Sequence, residues 1–125
     1  MFEGIIRRQT AKQERQLEAW MTKRQREHAL PGDVAMTPDV PCGEGQQMDV
    51  FQPKDAEGVL PVLVDLHGGG FLLGKKEVNR LFCADMAKRG FLVFCPEYPL
   101  APEADLFAIA RWTLLPRAFR ATAAI

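Results

Sequence analysis

Among its 125 residues the chain has no serine and only two histidines, His28 and His67. The first absence excludes a serine-nucleophile mechanism completed within this chain, whatever fold it adopts. Neither sign of charge is in excess: 16 Lys+Arg stand against 16 Asp+Glu. That balance argues against a nucleic-acid-binding arm or an anionic-membrane surface, both of which need surplus Lys and Arg. No apolar run approaches the ~20 residues that a bilayer span requires. The opening Met1-Phe2-Glu3-Gly4-Ile5-Ile6-Arg7-Arg8 lacks the apolar stretch of a secretory leader. Three cysteines, Cys42, Cys83 and Cys95, form an odd set with no CxxC and no framework spacing, which suits a reduced, cytoplasmic setting. What remains, 47% hydrophobic and 26% charged residues, is the make-up of one folded domain.

Along the chain, residues 7 to 29 are charged, Gln-rich and free of Gly and Pro. Leu17, Trp20 and Met21 make a short i, i+3, i+4 stripe, so a helix with a narrow apolar face is expected. Its bland role is a surface element packed by that stripe; its alternative role is to bind a partner. Leu30-Pro31-Gly32-Asp33 ends it. Residues 33 to 58 are rich in Pro and Gly and read as turns, with one short strand at Met48 to Gln52. Residues 1–46 therefore read as an N-terminal helix and turn-rich region, and 47–125 as the α/β part of the chain.

Val59 to Leu66 is a nearly continuous apolar run, the pattern of a strand buried on both faces in a parallel sheet. Glu77 to Arg89 reads as a helix facing inward through Val78, Leu81, Phe82 and Met86, with Gly90 at its C′ position. Phe91 to Cys95 reads as a second buried strand. Strand, helix, strand with short connections is a βαβ unit, and the class is α/β.

The first strand runs straight into His67-Gly68-Gly69-Gly70-Phe71. Three successive glycines free the backbone for positive φ and let neighbouring N–H groups converge on one point. Convergent donors stabilise an oxyanion that develops in acyl transfer. One helix and one strand later comes Pro96-Glu97-Tyr98-Pro99-Leu100-Ala101-Pro102-Glu103. The two motifs, in this order and separation, resemble the hormone-sensitive-lipase-like branch of the α/β-hydrolase fold. Its second motif usually reads Asp-Tyr-Arg-Leu-Ala-Pro-Glu; here Glu97 replaces Asp and Pro99 replaces Arg. The resemblance covers residues 47 to 105, with a weaker likeness of the charged N-terminal helix to the family's cap.

The resemblance implies the N-terminal part of an incomplete α/β-hydrolase sheet preceded by a charged helix. It implies carboxylic-ester hydrolysis on a small-molecule ester, without cofactor or metal. Gly69 and Gly70 would donate the oxyanion N–H groups, Gly68 would supply the tight turn and close approach, and His67 would orient the loop. Phe71 and Leu72 would line an acyl pocket or an ordinary core edge. The family's Gly-x-Ser-x-Gly elbow, acid and C-terminal histidine should follow Glu103, and this chain has none of them. The chain alone is thus expected to be inactive.

Other readings are weaker. Gly69-x-x-x-x-Gly74-Lys75 imitates a phosphate-binding loop, but Lys76 stands where Ser or Thr must bind Mg²⁺. Cys83 and Cys95 read as small buried hydrophobes, and Asp65 and Glu97 as local partners for loop N–H groups. From Ala104 a helix is expected to begin, but Arg111 to Ile125 loses the pattern and contains Pro116, so a truncation after a frameshift near residues 104 to 112 is one expectation. The competing one is a non-enzymatic α/β module, or a subunit needing a partner chain, that self-associates through an unpaired strand edge beside Phe91 to Cys95.

Overall fold

The structure, a computed structural model, describes residues 1–43 and 45–113. In chain order it runs α1 (Phe2–Glu27), β1 (Val34–Gly43), β2 (Gln46–Pro53), β3 (Val62–Val64), a 3₁₀ turn (Lys76–Asn79), α2 (Arg80–Lys88), β4 (Leu92–Pro96) and α3 (Leu106–Thr113). The strands form one mixed sheet in the order β1-β2-β4-β3. β3 and β4 are parallel, with Val62 opposite Leu92 and Val64 opposite Phe94. Since α2 lies between them in the chain, this is the expected βαβ unit. β2 is antiparallel to both β1 and β4.

β1 was not legible in the sequence. Pro38 and Pro41 argue against a strand, but β1 is the sheet's edge, where a missing N–H can face away from the ladder. Its register slips between Thr37 and Val40, and Asp39 there has φ 55°. The division expected at residues 46 and 47 falls beside the turn of the β1–β2 hairpin, so the sheet runs across it.

The long apolar run also behaves differently from the expectation. Only Val62–Val64 is strand, and it is not buried on both faces: Val62 is 57% and Val64 44% exposed. β3 is the opposite edge of the sheet; Leu63 alone of its residues packs against the core. The open strand edge therefore belongs to β3 and not to Phe91–Cys95, because β4 has a partner on each side.

Two apolar clusters lie on the sheet. One joins Val34, Phe51, Val93 and Cys95 to Cys83, Ala84 and Ala87 of α2; the other gathers Cys42, Met48, Val50 and Phe94, with Trp112 of α3 packed on it. The inward face of α2 is thus rotated from the expected one, and Phe82 is half exposed. The tighter winding of the preceding 3₁₀ turn shifts the phase, and small Cys and Ala side chains let the helix approach the strands. Gly90, at φ 101°, ends α2 as expected.

α1 starts earlier than expected and buries none of its residues. Leu17 and Met21 are half-buried, whereas Trp20 is exposed with the Arg24 guanidinium 5.4 Å over its ring. Polar tethers hold the helix: Glu18 meets the Lys75 ammonium at 2.5 Å, and Gln25 donates to the Glu77 carbonyl. No described helix is long and apolar enough to cross a membrane. Residues 114–125, including Pro116, lie outside the described residues.

Candidate active site

β3 delivers the chain to the C-terminal edge of the parallel pair, where sites in α/β sheets gather. The Asp65 N–H still donates to the Phe94 carbonyl at 2.8 Å, and two residues later the ladder gives way to His67. The glycine loop then folds tightly on itself, the Leu72 and Leu73 N–H groups both donating to the Gly69 carbonyl at 3.2 and 3.3 Å. Gly69, Gly70, Phe71 and Gly74 have φ of 136°, 62°, 63° and 105°. A side chain at Gly69 would run into the Leu73 carbonyl, and one at Gly74 into the Gly68 carbonyl and the His67 ring. Gly68 is different: a Cβ there meets nothing within 4 Å, and its φ is not positive. The close approach assigned to Gly68 from the sequence therefore belongs to Gly69 and Gly74.

Among the described residues, the Gly69 and Gly70 N–H groups donate to no other protein group. Both glycines line a cavity of about 270 Å³ with Leu66, His67, Gly68, Phe71, Tyr98 and Ile109. A larger cavity of about 520 Å³ shares none of these lining residues. Leu72 and Ala101 to Glu103 form one wall and the first turns of α1, including Phe2 and Ile6, form the other. Phe71 and Leu72 thus face different spaces.

His67 is buried and held from several sides. Its Nε2 lies 2.9 Å from Glu97 Oε1 and its Nδ1 2.9 Å from the Gly68 carbonyl oxygen. The Tyr98 ring stacks on it at 4.2 Å, and the Tyr98 hydroxyl donates to the His67 carbonyl. Burial opposes charge on the ring, but the Glu97 and Gly68 oxygens outweigh it and raise the His67 pKa above its ordinary value. The other Glu97 oxygen accepts the Lys76 N–H at 3.2 Å, so one carboxylate joins the loop to the 3₁₀ turn.

The expected orienting residue, His67, is the one that Glu97, Tyr98 and the Gly68 carbonyl surround. From the sequence Glu97 reads as a residue near a site or, more simply, as a partner for loop N–H groups; its contact with His67 was not legible. The signal was its place beside Tyr98 in the second motif. Sequence reading also missed the buried Lys76, whose ammonium meets Asp49 at 2.7 Å and Asp39 and Glu77 at 2.9 Å. That role leaves Lys76 unavailable for phosphate. Asp65, Cys83 and Cys95 come together behind the loop, their ligand atoms all within 4.8 Å of one another.

Residues 48–111 match the family model described as BD-FAE. A kynurenine formamidase from Danio rerio is 29% identical over 70 residues, which are 54% of this chain and 24% of that protein. Esterase B from Lactobacillus rhamnosis superposes with a TM-score of 0.78 at 24% identity, over 87% of this chain and 37% of its own. Brefeldin A esterase, a bacterial homologue of human hormone-sensitive lipase, superposes with a TM-score of 0.59 at 25% identity, over 78% of this chain and 32% of its own. The chain thus spans about a quarter of the formamidase and about a third of the two esterases.

Proposed function

The chain belongs to the BD-FAE family of α/β-hydrolases, and from that premise we propose that it carries the oxyanion-binding half of a carboxylic-ester hydrolase. One observation supports this above the others: the adjacent N–H groups of Gly69 and Gly70 are unengaged among the described residues and line a cavity. An ester carbonyl seated there gains negative charge on attack, and two fixed amide donors stabilise that charge more than the ground state. Glu97, through His67, and the Tyr98 hydroxyl hold the loop in its strained form. Leu72 and Phe71 offer apolar surface to the acyl or alcohol part. No cofactor enters this chemistry, and three free thiols accord with a reduced, cytoplasmic setting.

The nucleophile and general base are not among these residues, since the chain has no serine and no histidine after His67. Triad members act as a unit, so the oxyanion donors alone give negligible turnover. The pure chain is expected to hydrolyse short aryl esters no faster than buffer. It is also expected to bind a tetrahedral oxyanion mimic: in ¹H–¹⁵N spectra, a short alkyl phosphonate should shift the Gly69 and Gly70 amide resonances. Unmoved glycine resonances would overturn the oxyanion assignment, and robust hydrolysis would overturn the division of labour.

A second reading is favoured by the exposed edge at β3. In it the chain is a subunit or interaction module that meets another chain along that strand.

A further inference from the structure

We propose that Asp65, Cys83 and Cys95 form a site for a thiophilic divalent cation of the zinc class, which staples β3, α2 and β4 together. The site is separate from the glycine-loop cavity, of whose lining none of the three is part. Two thiols and one carboxylate are a ligand set that zinc favours, with bonds of about 2.3 Å to sulfur and about 2.0–2.2 Å to oxygen. Tetrahedral bonds of that length set neighbouring ligand atoms about 3.4–3.8 Å apart. Here all three lie within 4.8 Å of one another, and Cys95 Sγ is 3.6 Å from Asp65 Oδ2. A small inward movement of the Cys83 and Cys95 side chains closes the triangle.

The surroundings supply the rest of the site. Asn79 Nδ2 donates to Asp65 Oδ2 at 2.9 Å, which fixes the carboxylate. The same oxygen faces Cys95 Sγ, and when that thiol loses its proton the lone pair it held is free to ligate. The Lys76 carbonyl oxygen lies 3.3 Å from Cys95 Sγ and is a further oxygen beside the thiol. Both cysteines are fully buried while Asp65 is partly exposed, so the carboxylate is the side of entry. On binding, the two S–H bonds break, two protons pass to solvent, and two sulfur–metal bonds form with no change of oxidation state. From the sequence Cys83 and Cys95 read as buried hydrophobes and no metal is expected, because the three ligands come from three parts of the fold at unrelated spacings.

Cobalt(II) added to the whole reduced chain tests the proposal. One equivalent should produce a thiolate-to-cobalt charge-transfer band that one equivalent of zinc removes. Cys83→Ala and Cys95→Ala should abolish the band. Cys42→Ala, on the opposite face of the sheet, should keep it, and Asp65→Asn should weaken binding at least about tenfold. Absence of the band from the native chain, or its survival in the double cysteine variant, overturns the site. Should the alanine variants fail to fold, X-ray absorption of the native chain with zinc decides. Two sulfur scatterers support the site, and an all-oxygen or nitrogen shell overturns it.

Discussion

Each ring nitrogen of His67 faces an oxygen that accepts: Gly68 carbonyl at Nδ1 and Glu97 carboxylate at Nε2. Only the doubly protonated imidazolium donates to both. Burial works against that charge, yet the two oxygens leave the folded pKa raised. A raised pKa means that the folded state holds the proton more tightly than the unfolded chain. The resulting stability is complete below the unfolded value of about 6.5 and is lost as pH rises through the higher folded value. Glu97→Gln keeps an acceptor but removes the charge, so its effect should depend on pH. The native chain should be more stable than the variant by about 1 kcal/mol near pH 5–6, and the gap should shrink in alkaline solution. Thermal melts of both proteins across that range check this; a gap that does not change with pH would mean that the ring is neutral in the fold.

At the scale of elements, what was legible depended on whether a local pattern met its usual surroundings. The βαβ unit and the glycine loop were readable because their signals are local: apolar runs, a C′ glycine, three glycines after a strand. β1 was hidden because Pro38 and Pro41 are tolerated only at an edge, and edge position is a property of the sheet. Its anchoring is equally non-local. Lys76, in the 3₁₀ turn, reaches Asp39 on β1 and Asp49 on β2, and Arg80 at the start of α2 also reaches Asp49 at 3.4 Å. Asp49 is fully buried, so removing its main cation strands a charge. Lys76→Met should cost about 3–5 kcal/mol. Adding Asp49→Leu should recover part of that loss through a coupling of about 1–3 kcal/mol. Urea midpoints at unchanged slope measure both, and strictly additive losses would show that the pair does not bind the hairpin to the helix.

Over the whole molecule, the sheet is finished on one side and open on the other. β1 carries the usual edge defences: two prolines, a register slip and a positive-φ aspartate. β3 has none. Val62 and Val64 are exposed valines on a strand that pairs only with β4 among the described residues. The direction of its free groups follows from the ladder. Leu92 donates to the Pro61 carbonyl and Asp65 donates to the Phe94 carbonyl. In a parallel pair, alternate residues face the same neighbour. Residues 61, 63 and 65 therefore face β4, which turns the N–H and C=O groups of Val62 and Val64 outward. Outward backbone groups flanked by apolar side chains form a template for another strand. The chain should therefore associate with itself as its concentration rises, seen as growing mass in light scattering. Val62→Lys with Val64→Lys should return it to a monomer and shift its stability by no more than about 0.5 kcal/mol, because neither residue is in the core. A native chain monomeric at every concentration would sink this expectation. Association that persists in the double lysine variant would place the contact elsewhere, with Phe2 and Ile6 at the start of α1 the next surface to change.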